Sequence, residues 1–316
     1  MRLERLSAIG DHLLYLVIAA TVLSLLDPGP GARLQNLVMP VLALMVLCVS
    51  LTIRYEDLKA ALSRPLVLAA NLFLSFGLMP LLGLFLGQAF FGPGTRLATG
   101  QLLVASLPAD AASPFMVYLA GGNTAMACAA LTASFAATPL LLPLLLTGLG
   151  HVHLLIPLPY LLADLFLVIV IPVSAGVFLN SRYQALRGFE PVYSALSSLS
   201  YLLLLTVVVS GNAAAIKALH ARALWIAAAA LILNVSGYLL ALTSLALVRD
   251  KGTVASFLFL TGTREFGIAS ATAAAMGLPG ELTIPAVFYA VVQMVTSPLT
   301  ARLVRRLQET GDRGWA

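Results

Sequence analysis

The chain has 316 residues, 60% of them hydrophobic and 10% charged, with a formal net charge of +5. Soluble domains carry about 25% charged residues, so a water-soluble globule is excluded, as the mean hydropathy of +0.98 also requires. A bilayer crossing takes about 20 apolar residues, so about ten crossings use roughly two thirds of such a chain. The longest polar interval, 180–193, is far too short for a soluble catalytic domain.

Breaks in hydropathy at charged, Gly and Pro clusters predict ten membrane helices, at about 11–27, 36–53, 65–91, 97–120, 124–148, 154–179, 194–216, 222–248, 254–276 and 284–304. The first follows MRLERLSAIGDH and lacks a small-x-small cleavage site before the next span, so it reads as a retained helix rather than a signal peptide. With the N-terminus inside, thirteen Lys and Arg residues fall at cytoplasmic ends, and four, Arg33, Arg96, Lys217 and Arg222, at outer ends. That bias predicts a multi-pass protein of the cell inner membrane with both termini cytoplasmic. The basic residues are dispersed between spans, which argues against nucleic acid as a partner and leaves the lipid bilayer. Tyr55 and Trp225 fall near expected interfaces. Cys48 and Cys128 lie inside apolar spans with no metal-ligand spacing around them, and read as small core thiols.

An internal echo organises the chain. GGN at 121–123 precedes a small-residue helix reaching Thr138-Pro139, and GLPGE at 277–281 precedes one reaching Ser297-Pro298. Five spans per half is an odd number, so the second copy enters the membrane inverted, giving repeats at 1–150 and 151–316.

Four ionisable residues fall within spans: Asp110, Asp164, Arg264 and Glu265. Each costs roughly 2.5 to 3.5 kcal/mol at a helix centre, so each needs a partner, water or a task. Asp110 lies between Pro108 and Pro114 in the fourth span, and Gly262 and Gly267 bracket Arg264 and Glu265 in the ninth. Proline frees carbonyls one turn back, and broken backbone at membrane depth survives only beside protein or a watery cavity. The reading with function pairs Asp110 with Arg264 across the two broken spans and leaves Glu265 to exchange a proton. The plainer reading gives Arg264 and Glu265 separate structural partners. Asp164 either lines a cavity or bonds a neighbouring helix. Asn212 and Gln293 are the strongest polar cavity candidates, whereas Asn71, Asn123 and Asn234 read as interhelical glue. Thr132 and Ser134 are placed to bond their own i−4 carbonyls. The four histidines, 12, 151, 153 and 220, fall near span ends, which disfavours an imidazole relay.

The stretches VMPVLALMVLCVSLTIRYEDLKAAL (38–62), FGLMP (76–80), SLPADAASPFMVYLAGGNTAMACAALTASFAATPLLLP (106–143) and TGTREFGIASATAAAMG (261–277) resemble the bile acid:sodium symporter superfamily. The resemblance implies an all-α polytopic fold of ten helices, with a panel domain (spans 1, 2, 6 and 7) and a core domain (spans 3–5 and 8–10). It further implies that spans 4 and 9 are discontinuous and cross, and that organic anions move by sodium symport and alternating access. The chain departs from that family where sodium binds. A gapless comparison sets the family's Ser-Asn pair on Ser113-Pro114, its helix 5 Ser and Thr on Ala127 and Leu131, and its helix 3 Gln on Phe76. The family's ninth-helix Glu falls on Leu260, and its Gln and Asn on Arg264 and Glu265. Sodium needs several oxygen ligands, and of the expected set only Ser113, with Thr132 if the register shifts, offers one.

The expected function is secondary transport of a small organic anion, with sodium coupling reduced, lost or replaced by protons or exchange. Sodium is thereby disfavoured as a bound ion, no other cofactor is expected, and the oligomeric expectation is a monomer or weak oligomer. Asp110, Ser113, Pro114, Arg264 and Glu265 form the expected transport site, with Thr132, Asp164, Asn212 and Gln293 as cavity candidates. Alternatives are a sodium-coupled symporter with non-standard ligands, or a carrier of another inverted-repeat family such as the drug/metabolite type. An intramembrane enzyme is disfavoured, because no HExxH or GxSxG motif occurs.

Overall fold

Long runs of Leu, Ala and Val without polar interruption leave the backbone no partner but itself in a bilayer, and helices result. The computed structural model describes residues 13–313 except 53, 57, 58, 60–62, 111, 151–165, 249 and 276. In chain order the main helices are α1 (Leu13–Leu26), α2 (Val38–Ser50), α3 (Pro65–Phe91), α4 (Arg96–Ala105), α5 (Ser113–Leu119) and α6 (Thr124–Gly150). They continue as α7 (Ile171–Arg182), α8 (Glu190–Gly211), α9 (Arg222–Ala241), α10 (Lys251–Gly262), α11 (Phe266–Ala275) and α12 (Ile284–Arg313). Asp164, His12, His151 and His153 lie outside the described residues.

Among the described residues five helical segments are individually long and apolar enough to cross a membrane: Pro65–Phe91, Thr124–Gly150, Glu190–Gly211, Arg222–Ala246 and Gly280–Gln308. The fourth and ninth expected spans are each split in two. At 1.5 Å per residue, α4 and α10 are about 15 to 18 Å long, half a bilayer each. The predicted seventh span, 194–216, ends early at Gly211, and a short helix, Ala213–Ala218, follows Asn212. Pro80 has no N–H to return to the Phe76 carbonyl, and α3 answers with a π-helical stretch at Leu74–Leu78.

Two sets of helices are distinguished by their packing. α8 lies against α1 and α2, and α2 against α7. In the other set α3 packs on α4 and α9, α9 on α10 and α12, and α6 on α5 and α10. Cys48 and Cys128 are buried and are not joined in a disulfide, Cys128 resting on Val177. The GGN turn is tied to the start of α10: Asn123 N donates to Gly252 O at 2.9 Å, and Ser256 Oγ donates to Asn123 O at 2.8 Å. Asn123 Oδ1 also accepts from Met126 N at 3.0 Å, so this residue caps α6. Gly121 stands at φ +72°, a conformation other residues rarely adopt.

α9 and α10 approach backbone to backbone at Gly237 and Gly262, as small residues permit between membrane helices. A Cβ on Gly237 would lie 2.8 Å from Gly262 Cα and 2.9 Å from the Thr261 carbonyl. Gly237→Ala is therefore expected to lower stability by about 1 to 3 kcal/mol through overpacking, read as earlier thermal unfolding of detergent-purified protein.

Asp250 caps α10 by accepting from Thr253 N at 2.9 Å, Thr253 Oγ1 at 2.6 Å and Gly252 N at 3.3 Å. The Thr253 hydroxyl is the main cause that holds the Asp250 carboxyl below its ordinary range. A depressed carboxyl stabilises above its unfolded pKa and ceases to do so as pH falls through the folded value. Asp250→Ala should cost about 0.5 to 2 kcal/mol at neutral pH. The difference from wild type should shrink as the medium is acidified below about pH 4, measured by paired thermal melts.

Candidate polar site at the broken spans

A helix that stops inside a membrane leaves its last carbonyls and the next helix's first N–H groups without intrahelical partners. Two such interruptions meet here, at 106–112 between α4 and α5 and at 263–265 between α10 and α11. Thr263 is extended, with φ −114° and ψ 154°. The strands of backbone bond to each other: Glu265 N donates to Pro108 O at 3.0 Å, and Ser113 Oγ and Thr263 Oγ1 share a hydrogen bond at 2.7 Å. Pro114 occupies the first turn of α5, where its missing N–H costs nothing.

The freed carbonyls at the end of α10 are taken up by side chains. Leu260 O accepts from Ser75 Oγ at 3.4 Å, and Gly262 O accepts from both Tyr289 Oη at 2.6 Å and Asn234 Nδ2 at 2.7 Å. Thr261 O accepts from Arg264 Nη2 at 3.1 Å, while Arg264 Nη1 reaches Leu107 O at 2.8 Å. Thus one guanidinium, with 0% of its residue exposed, rests on the carbonyl ends of both α4 and α10. Helix C-termini carry the negative end of the helix dipole and favour a cation.

The two acids sit at the opposite kind of end. Asp110 Oδ1 accepts from Ala112 N at 2.7 Å just before α5, and Glu265 Oε1 accepts from Gly267 N at 3.3 Å at the start of α11. Both are buried, Asp110 at 4% exposure. Gln293 of α12 joins the pieces. Its Oε1 accepts from Arg264 N at 2.8 Å, and its Nε2 donates to Arg264 O at 3.0 Å and to Asp110 Oδ2. The expected direct pairing of Asp110 with Arg264 is therefore replaced by a link through the Gln293 amide. Carbonyls freed by the two breaks compete for the guanidinium, and they lie closer to hand than the carboxylate.

The structure thus brings together Asp110, Ser113, Arg264, Glu265 and Gln293. It does not bring Thr132 or Asn212 to them. Thr132 Oγ1 bonds its own helix at Cys128 O, 2.9 Å away, and Asn212 Nδ2 donates to Thr283 Oγ1 at 3.1 Å beyond the end of α8. The expected i−4 bond from Ser134 is not made. Sequence reasoning missed Thr263, Tyr289 and Tyr201. Tyr201 of α8 is buried edge-on against Phe266, the first residue of α11, with ring centroids 4.7 Å apart at 78°. Its only signal was a polar-tipped ring within an apolar span.

A helical bundle of several crossings whose buried charged groups, among the described residues, lie at two mutually bonded breaks is the architecture of a polytopic membrane transporter. The chain belongs to the sodium bile acid symporter family, whose model it matches over residues 39–219. That family consists of transporters, not enzymes. The chain is similar to the probable sodium/metabolite cotransporter BASS1, chloroplastic, of Arabidopsis thaliana, with 30% identity over 199 residues, 63% of this chain and 49% of the relative. It spans about half the length of that relative. It is also similar to the uncharacterized protein YbaS of Bacillus subtilis, with 26% identity over 82% of this chain and 85% of the relative. The uncharacterized sodium-dependent transporter YocS of the same organism shares 25% identity over 86% of this chain and 84% of its own length.

Gln293→Leu keeps the bulk of the side chain and leaves Asp110, Arg264 N and Arg264 O, all buried, short of partners. Unsatisfied buried groups cost about 1 to 3 kcal/mol each, so this variant should melt well below Asn212→Ala, which loses one hydrogen bond at a less buried site. Equal melting shifts would show that Gln293 does not organise the break.

Proposed function

We propose that this chain is a secondary transporter of a small organic anion, in which the fixed guanidinium of Arg264 takes the place of a bound sodium ion. The observation that carries the reading is the placement of Arg264 between the carbonyl ends of α4 and α10, since carrier proteins of broken-helix design hold cations at such ends. The positions where the family resemblance expects oxygen ligands are filled by Phe76, Ala127, Leu131 and Leu260, all buried and apolar. A sodium ion held by these residues would lack ligands, and it would meet the Arg264 charge in the same space. Coupling then passes to protons or to exchange of one substrate for another.

The arrangement proposed around this site is that of two inverted repeats, 1–150 and 151–316. Asp110 ahead of α5 and Glu265 ahead of α11 support it by occupying like places in the two halves. In the same reading α1, α2, α7 and α8 form a panel, the remaining helices form a core, and access alternates between them. Both termini lie in the cytoplasm of a cell whose inner membrane holds the protein as a monomer or weak oligomer. A second reading keeps sodium, held by non-standard oxygens such as those of Ser113 and Thr263, and it draws on the sodium-linked names of the relatives.

Uptake into proteoliposomes separates the two. Taurocholate and pyruvate are the probes, with an inward gradient of sodium or of potassium at equal ionic strength. Equal initial rates under both gradients are expected, and strict dependence on sodium would overturn the proposal in favour of the second reading.

A further inference from the structure

At one end of the bundle, remote from the breaks, α3 finishes, α4 begins and α9 begins. The groove among them has a volume of about 730 Å³ and is lined by Phe90, Phe91, Thr95, Leu97, Arg222 and Trp225. Its depth lies at the membrane boundary: α3 has 27 residues, about 40 Å of helix, so its end at Phe91 reaches past a hydrocarbon core of about 30 Å. The walls are aromatic. Phe90 meets the Trp225 ring edge-on with centroids 6.1 Å apart, and Trp225 is 61% exposed.

Charge distinguishes this groove from an ordinary aromatic belt. Arg96, beside it, is neutralised by Glu281 at 2.8 Å. Among the described residues Arg222 makes no ion pair; it is exposed, and no Asp or Glu is among the residues that line the groove with it. An apolar slot with one uncompensated cation at its rim, opening at headgroup depth, complements a molecule with an anionic head and hydrocarbon tails.

We infer that this groove is a binding site for an anionic phospholipid, the phosphate meeting Arg222 and the first acyl segments lying along Phe90, Phe91, Leu97 and Trp225. The indole supplies a flat apolar face with a polar edge, suited to the glycerol region of the bilayer. A zwitterionic lipid presents its own ammonium beside the phosphate and gains less from the lone guanidinium.

Native mass spectrometry of the full chain in detergent, with equal amounts of phosphatidylglycerol and phosphatidylcholine, tests the site. Wild-type protein should retain phosphatidylglycerol about fivefold more than phosphatidylcholine. Arg222→Gln should bring the two to parity, Arg222→Lys should keep the preference, and Trp225→Leu should weaken retention of both. Equal retention of the two lipids by wild type, or an unchanged preference in Arg222→Gln, would overturn the inference. So would a groove filled by a second copy of the chain, seen as a lipid-free dimer. Thermal melts with each lipid give a second reading: the stabilising shift should be larger with phosphatidylglycerol and absent with inorganic phosphate alone, and an equal shift from phosphate would reject a lipid in favour of a simple anion site.

Discussion

The arrangement of the interior depends on satisfying the ends of helices that stop inside a membrane. Two breaks expose carbonyls on one side and N–H groups on the other, and water is not there to receive them. The chain answers with one cation for two carbonyl ends and one acid for each amide end. Arg264 holds Leu107 O and Thr261 O, while Asp110 and Glu265 accept from the backbone ahead of α5 and α11. Each charge is placed where the helix dipole favours it, and the Gln293 amide fixes the spacing between them. No residue of this set has a satisfactory environment without the others, so the breaks and the charges form one unit.

Much of this was legible in the sequence because polar residues in a membrane are conspicuous. Asp110 between two prolines and Arg264-Glu265 between two glycines announce both the depth and the interruption. Gln293 was marked for the same reason. What could not be read was the partner of each group. Arg264 was expected to seek a carboxylate, yet it rests on carbonyls, and a sequence displays side chains while every residue carries the same carbonyl. Asn234 bonds between helices as expected of it, but its meeting with Tyr289 on Gly262 O shows only when α9, α10 and α12 are packed together. Thr132 makes the i−4 bond expected of it, onto Cys128 O, and so does not serve the site, while Asn212 lies past the end of α8 against Thr283. Hydropathy predicts ten crossings, and five of the described helical segments are individually long and apolar enough to make one; the end of α8 at Gly211 is not marked by hydropathy.

The family membership and the local chemistry pull in different directions, and this tension is informative. The likeness covers most of the chain, including the block around the first break, yet Phe76, Ala127, Leu131 and Leu260, at positions where the resemblance leads one to expect oxygen, are buried and apolar. The carbonyl ends of both α4 and α10 are met by the positive charge of one side chain, Arg264, on a scaffold that keeps its broken helices. Fold and site are separable in this sense.

The contact between Gly237 and Gly262 has a mechanical corollary. With their backbones pressed together, α9 and α10 have no side-chain cushion between them, and the carbonyl of Gly262 is clasped at the same point by α9 and α12. The second break is thus bolted at its root to two full-length helices. At this point α9, α10 and α12 are held together as one piece, so a displacement of any of them carries the carbonyl end of the break with it.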